Sequence, residues 1–135
     1  MPTFENPTAD AAGAREALRG LAHATRTLDD ARDLYAILGD LSLTAASLGQ
    51  VLHQLGRLHD TQQSETPWVA GESRAGRAVT YQVSWDLHRA GAMLRQVTRC
   101  IDDAHQAEGT VVYHHRDFPA FADAARPGPE QGLGL

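Results

Sequence analysis

The sequence predicts an all-α fold, a helical bundle built on a long antiparallel helical hairpin with an additional N-terminal helix. Leucine recurs at every seventh position of one long segment, which is the repeat of a helix face. Apolar or small residues fill three of every seven positions there, a stripe wide enough to contact two neighbouring helices. A second long segment carries a stripe of smaller residues, as expected for the facing helix of a hairpin.

The first predicted helix spans residues 8–26 and follows a loose polar lead at residues 1–7. We expect Thr8 to cap this helix, and Asp10 in its first turn to interact favourably with the helix dipole. The helix is rich in alanine and has a narrow apolar face, so it should persist only if it docks on the bundle. Asp29 and its neighbours then predict a break, although the absence of a proline leaves one long bent helix as the alternative.

The second predicted helix spans residues 30–60. Its leucine row comprises Leu34, Leu41, Leu48 and Leu55. Glycine costs about 1 kcal/mol relative to alanine in a helix interior. Gly49 and Gly56 each follow a leucine of this row, so we expect them to permit the close approach of another backbone. The loop predicted at residues 61–71 contains Trp68.

The third predicted helix spans residues 73–108, from a capping serine at Ser73 to Gly109, a residue suited to end a helix. Its predicted stripe consists of three rows: Gly76, Val83, Ala90, Val97 and Ala104; Val79, Asp86, Met93, Cys100 and Ala107; and Thr80, Leu87, Leu94 and Ile101. The first row is small where the second helix has leucine, so these two helices should pair antiparallel. The prediction is one domain at residues 8–123 with a disordered tail at residues 124–135.

Composition argues against several classes of function. The chain has 135 residues, enough for one domain with its own core, and a formal net charge of −5. It lacks the basic excess that nucleic acids and anionic membranes attract, so we expect neither partner. Its single cysteine cannot form an internal disulfide, and neither a signal peptide nor a bilayer-length apolar run is visible. We therefore expect a soluble cytoplasmic protein.

An aromatic patch on the third helix predicts self-association. Tyr81, Trp85 and His88 follow helical spacing on the side away from the apolar stripe, where a surface helix should be polar. Exposed aromatic side chains often mark interfaces, with tryptophan as an anchor. We expect these three residues to form the interface of a homodimer, with the first helix or the segment after Gly109 as the alternative cover.

Three polar residues are predicted to lie buried between the two long helices. Asp86 falls within the apolar stripe of the third helix, where an unpaired carboxylate is costly to bury. His53 or His59 of the second helix is the expected partner, with Arg89 as the alternative. A buried Asp–His pair can be catalytic, but it more often fixes the register of packed helices.

The seven histidines make a metal-dependent enzyme the main alternative class. Asp102 and His105 lie on one face of the third helix, and His53 lies on the second. Di-iron bundles need glutamate on several helices, however, and the second predicted helix contains none. We therefore predict no catalytic residue, no bound metal and no cofactor, and keep an enzyme with a helix-borne Asp/His cluster as the alternative.

Residues 34–60 (LYAILGDLSLTAASLGQVLHQLGRLHD) and residues 78–97 (AVTYQVSWDLHRAGAMLRQV) resemble small helical proteins encoded near plasmid-transfer and integrative-element genes of high-GC Gram-positive bacteria. The resemblance covers about residues 28–113. It implies the context of a mobile element and supplies no chemistry.

A second, weaker resemblance is to the WXG100 secretion substrates. It lies in the two long helices, in the turn Trp68-Val-Ala-Gly71, one residue longer than the Trp-x-Gly of that family, and in Tyr113 followed by Asp117. It implies a substrate of type VII secretion. The function predicted first is a non-enzymatic helical interaction or assembly module, with the secretion substrate as its alternative.

Overall fold

A computed structural model describes residues 1–62 and 73–113 of the chain. It confirms the all-α class, because the described residues form helices and connecting turns without a strand. The helices are α1 (Pro7–Ala24), a short 3-10 turn (Thr25–Thr27), α2 (Asp33–Gln62) and α3 (Ser73–Glu108). The predicted loop with Trp68, the predicted tail and the chain beyond Tyr113 lie outside the described residues.

The N-terminus of α1 is capped two residues earlier than the sequence predicts. The side chain of Asn6 accepts a hydrogen bond from the Ala9 amide, and Pro7 occupies the first helical turn, where its missing N–H costs nothing. Thr8, the expected cap, lies inside the helix. In place of a loose lead, the amides of Thr3 and Phe4 donate to the carboxylate of Asp10, so the lead folds back on the first turn.

The predicted break between the first and second helices is confirmed. After the 3-10 turn, Leu28 is extended, and the chain enters α2 through a turn that begins at Asp30. The Asp30 carboxylate accepts a hydrogen bond from the Arg32 amide, and the Asp30 carbonyl accepts one from the Asp33 amide. These bonds start α2 at Asp33, three residues later than predicted.

Helices α2 and α3 form the predicted antiparallel hairpin. Their backbones are in contact at Gly49 and Gly91, where a Cβ added to Gly91 would lie 3.4 Å from the Gly49 carbonyl oxygen. Gly49 therefore lies at a backbone contact as expected, although a Cβ added to Gly49 itself would lie at an ordinary 3.8 Å from the Gly91 carbonyl oxygen. At Gly56 the missing side chain makes room for the imidazole ring of His88 and not for a backbone. We call this α2–α3 contact the seam.

The central row of the seam lies one position along the helices from the leucine row of α2 and the small row of α3, whereas the predicted positions Ala45 and Leu52 do border it. On α2 its central row is Tyr35, Ser42, Gly49 and Gly56, and on α3 it is Ser84, Gly91, Thr98 and His105. The predicted row containing Leu87 and Leu94 does flank this contact, and both residues are half-buried. The predicted rows with Leu48 and Met93 are outside it, since these side chains are 44% and 57% exposed. Small residues, more than large apolar ones, determine where the two helices meet.

Helix α1 stands apart from the hairpin. Within the described residues its backbone contacts only the 3-10 turn that follows it, and it buries none of its own residues. A cleft of about 870 Å³ separates α1 from α2. Among the residues that line it are Leu18 on α1 and Leu43, Leu48 and Val51 on α2. The hairpin therefore holds together without support from α1.

Apolar burial is small over the described part of the chain. Ala45 is the one buried hydrophobic residue there, and the other two buried side chains of note are Ser42 and Ser84. A soluble domain of this length normally buries most of its large apolar side chains. Segment Asp33–Thr61 is also long and apolar enough to cross a bilayer, although the core helix of a soluble protein passes the same test of length and composition.

Candidate functional site

A polar cluster lies at the end of the seam near the C-terminus of α2. The Ser84 hydroxyl donates to one carboxylate oxygen of Asp60, and Nε2 of His88 lies 2.8 Å from the other. Ser84 is buried, whereas the side chains of Asp60 and His88 are partly exposed. One carboxylate of α2 thus binds two residues of α3 that are one helical turn apart.

The cluster lowers the pKa of Asp60. The hydrogen bond from Ser84 has the largest effect on that pKa, and the bond with His88 adds to it, because both stabilise the charged carboxylate. Partial desolvation acts in the opposite direction and is outweighed. Asp60 is therefore held as an acceptor for both partners across the pH range in which proteins ordinarily work.

The serine, histidine and aspartate do not form a nucleophilic triad. In such a triad the histidine accepts the proton of the serine and the aspartate orients the histidine. Here Ser84 and His88 both bond to Asp60, and the hydroxyl of Ser84 is directed at a carboxylate inside the seam. The arrangement suits fixing the position of α3 against α2.

The opposite end of the seam carries a second serine–aspartate bond. Here the Ser42 hydroxyl of α2 donates to Asp102 of α3, and the ring of Tyr35 stacks on His105 with centroids 4.1 Å apart. Three pairs of residues recur at the same interval of 42 positions, since 84 − 42, 91 − 49 and 102 − 60 are equal. These pairs are Ser42 and Ser84, Gly49 and Gly91, and Asp60 and Asp102.

An Asp–His pair does connect the two long helices, but it is partly exposed and consists of Asp60 and His88 instead of the predicted residues. Asp86 is exposed and accepts a hydrogen bond from Gln82 of its own helix, so the prediction that it lies buried is wrong. His53 is also exposed, and its ring meets that of His88 edge-on at 5.3 Å. His59 is half-buried, and its Nδ1 has no hydrogen-bond partner among the described residues. The aspartate that bonds to a histidine of the other helix is Asp60.

The predicted aromatic patch divides into two parts. Tyr81 and Trp85 are exposed, at 66% and 58% of their surface. His88 belongs to the seam, where its imidazole bonds to Asp60 and packs over Gly56. The exposure of the two larger aromatics leaves their role in an interface as a prediction.

A second apolar surface was predicted as core and is open instead. We call it the open face. It consists of side chains between 44% and 57% exposed, namely Leu48, Val51, Leu55 and Leu58 on α2 and Val79, Met93 and Val97 on α3. Each of these residues belongs to an apolar stripe of the sequence. The sequence pattern therefore predicted that they share a surface, but not that α3 packs elsewhere and leaves this surface open.

The two halves of the open face lie on the same side of the hairpin. Because the two helices are antiparallel, residues four positions after the central seam row lie on the same side of the hairpin, whichever helix carries them. His53, four residues after Gly49, and His88, four residues after Ser84, meet on that side. Residues one position before that row, such as Leu48 and Val97, must then share the opposite flank. The next row outward, two positions after the seam row, includes Val51 and extends the surface.

The absence of a bound metal stays a prediction. Within residues 1–62 and 73–113, no group of three or more His, Cys, Asp or Glu side chains is arranged to hold a metal ion.

No family model matches the chain, and no curated protein or solved structure matches it either. The open face and the seam are therefore the features from which a function can be argued.

Proposed function

We propose that this chain is a non-enzymatic helical assembly module that associates through its open face, in the cytoplasm and in the context of a mobile element. The observation that supports this proposal is the contrast in burial. Ala45 is the one buried hydrophobic residue in the described part of the chain, while seven larger apolar side chains lie half-exposed on one side of the hairpin. A contiguous apolar surface of this kind marks an interface.

The seam between α2 and α3 also supports this proposal. Its serine–aspartate bonds at both ends and its glycine contact at the centre fix the two helices against each other without a large apolar core. A hairpin fixed in this way presents the open face as a preformed surface. Preformed surfaces lose less conformational entropy on binding.

Substitution on the open face should weaken self-association. Leu55→Asp places a carboxylate at the centre of the surface, and burying it without a partner should raise the dissociation constant by at least about a hundredfold. Sedimentation equilibrium of the wild-type chain and the variant measures this directly. Leu43→Asp is the matched control, because Leu43 is 70% exposed and lies outside the open face.

Two outcomes would contradict the proposal. A wild-type chain that stays monomeric at high micromolar concentration would show that the open face does not bind a copy. Loss of association in Trp85→Ala, with none in Leu55→Asp, would assign the interface to the exposed aromatic surface that the sequence predicts first. Circular dichroism of each variant establishes that its helices are intact.

A further inference from the structure

The geometry points to an anion-binding site: we propose that a groove between α2 and α3 binds a small phosphomonoester, with the phosphate held by Arg95 and Arg99. The groove has a volume of about 420 Å³, and Arg95, Arg99 and His53 are the residues with basic groups that line it. We call it the basic groove. It lies on the flank of the hairpin that carries His53, opposite the open face, so this inference does not rest on the proposed function.

The basic groove is open because Ala46 is small. His88 follows Ala46, and Arg95 follows His53, by the same 42 positions that separate the repeated residues of the seam. At one end of this flank the rings of His53 and His88 meet between the two helices. At the other end Ala46 and Arg95 take their places, so a methyl group replaces one ring and leaves space beside a guanidinium group.

The two guanidinium groups at the basic groove are not neutralised by carboxylates of the described residues. Arg95 and Arg99 are exposed, and neither forms an ion pair there. No described carboxylate lines the groove. Two acidic residues follow Arg99 closely in the sequence. Of these, Asp102 accepts the hydrogen bond from Ser42, and Asp103 forms no ion pair within the described part of the chain. The groove therefore has an excess of positive charge.

The charge and spacing of these groups fit a phosphomonoester better than a carboxylate. Residues four positions apart on a helix are separated by about 6 Å along its axis, so both guanidinium groups can reach one anion. A carboxylate is satisfied by the paired N–H groups of one guanidinium. A phosphomonoester carries about 1.5 to 2 negative charges at neutral pH and three acceptor oxygens. Arg95 and Arg99, with the imidazole of His53 on the facing helix, supply donors for all three oxygens.

The rest of the basic groove suits the organic part of such a ligand. Its lining there is small or aliphatic, with Ala45, Ala46, Gly49 and Leu94, and the hydroxyl of Thr98 is directed at the Leu94 carbonyl. Sites for small molecules commonly have volumes of about 300–1,000 Å³ and combine apolar surface with a few polar groups. The basic groove has both properties, so we expect the ligand to be a small molecule.

Titration of the full-length protein with phenyl phosphate tests the site. Nuclear magnetic resonance should show saturable shifts of the amides of Gly49, Arg95 and Thr98, with one ligand bound per chain. Arg95→Gln and Arg99→Gln each remove a charged donor, so each should raise the dissociation constant about tenfold or more. Arg89→Gln is the matched control, because it changes the net charge equally, and Arg89 is exposed on the same helix but does not line the basic groove.

A size change tests the shape of the basic groove separately from its charge. Ala46→Leu places a larger side chain in the groove and should weaken the binding of phenyl phosphate about tenfold. Ala46 is exposed, so the fold should tolerate the change, and circular dichroism checks this. Ala78→Leu is the control, because Ala78 is exposed on α3 and does not line the groove.

Four outcomes would overturn the inference. The first is a wild-type chain that millimolar phenyl phosphate does not saturate. The second is an equal loss of affinity in Arg89→Gln and Arg95→Gln, which would indicate general attraction of anions. The third is benzoate bound as tightly as phenyl phosphate, which would assign the basic groove to carboxylates. The fourth is a DNA oligonucleotide with hydroxyl ends bound more tightly than phenyl phosphate, which would assign it to phosphodiesters. None of these measurements depends on self-association, which sedimentation equilibrium follows separately.

Discussion

Asp60 connects two residues of α3 through its two carboxylate oxygens, and this single residue fixes one end of the seam. The bond from Ser84 holds the pKa of Asp60 below its ordinary value, with a further contribution from His88. A carboxyl group whose pKa is lower in the folded state stabilises the fold above its unfolded pKa and loses that effect as the pH falls. The stability of the hairpin should therefore depend on pH in the acidic range.

We expect the wild-type chain to lose melting temperature as the pH falls from about 4 through the lowered pKa of Asp60. Ser84→Ala removes the main cause of the lowered pKa. This variant should therefore have a lower melting temperature near neutral pH, and its melting temperature should fall less than that of the wild type between neutral and acidic pH. Thermal melts across this range measure the difference. Ser47→Ala is the control, since Ser47 bonds only within its own helix. Parallel curves for Ser84→Ala and wild type would refute the role of the bond.

The sequence predicts an aspartate–histidine bond between the long helices but assigns it to Asp86. Asp86 falls on an apolar stripe, and the argument that buried carboxylates need partners was applied to it. The stripe, however, marks the open face, so Asp86 is exposed and Asp60 makes the bond. The periodicity of the sequence identifies which residues share a face of a helix. It does not identify which face packs on a given neighbour, because that depends on the shapes of the side chains.

At the scale of elements, every helix end was predicted to within three residues, although the predicted cap of α1, Thr8, is not the residue that caps it. The predicted range of the third helix coincides with α3, Ser73–Glu108, and the amide of Gly109 bonds to the carbonyl of His105 at its end. The central row of the α2–α3 contact was predicted one residue away from its observed position, because the prediction relied on large apolar residues more than on small ones. Gly49, Gly56 and Gly91 are uninformative by hydrophobicity, yet they allow the helices to approach.

Gly56→Ala should show whether helix packing or helix propensity dominates at this position, because the two have opposite effects on stability. A Cβ at this position would lie 2.9 Å from the imidazole ring of His88, so the ring must shift, and the same ring bonds to Asp60. We expect a lower melting temperature despite the higher helix propensity of alanine. Gly13→Ala is the matched control, because no atom lies within 4 Å of its added Cβ, and it should stabilise α1 by about 0.5–1 kcal/mol. A rise in melting temperature for both variants would contradict the seam geometry.

For the whole molecule, the described chain is a hairpin with polar ends, a glycine centre and an uncovered apolar side. The predicted bundle required neighbours on two sides of α2, and the structure supplies α3 on one side and a separated α1 beyond the cleft. The width of the apolar stripe predicts a second neighbour for α2, and among the described residues α3 is the one helix that packs on it. The second neighbour stays a prediction, and one sequence does not tell whether it belongs to the same chain.

Folding coupled to association makes the stability of the wild-type chain depend on its concentration. Each tenfold increase in protein concentration should add about 1.4 kcal/mol of stability per dimer, and so raise the melting temperature by several degrees. Leu55→Asp, which blocks the open face, should melt lower and at a temperature that does not change with concentration. Melts followed by circular dichroism over about a hundredfold range of concentration measure both slopes. A concentration-independent wild-type melt, with the same temperature as the variant, would mean that the hairpin is stable alone and that its apolar side has another role.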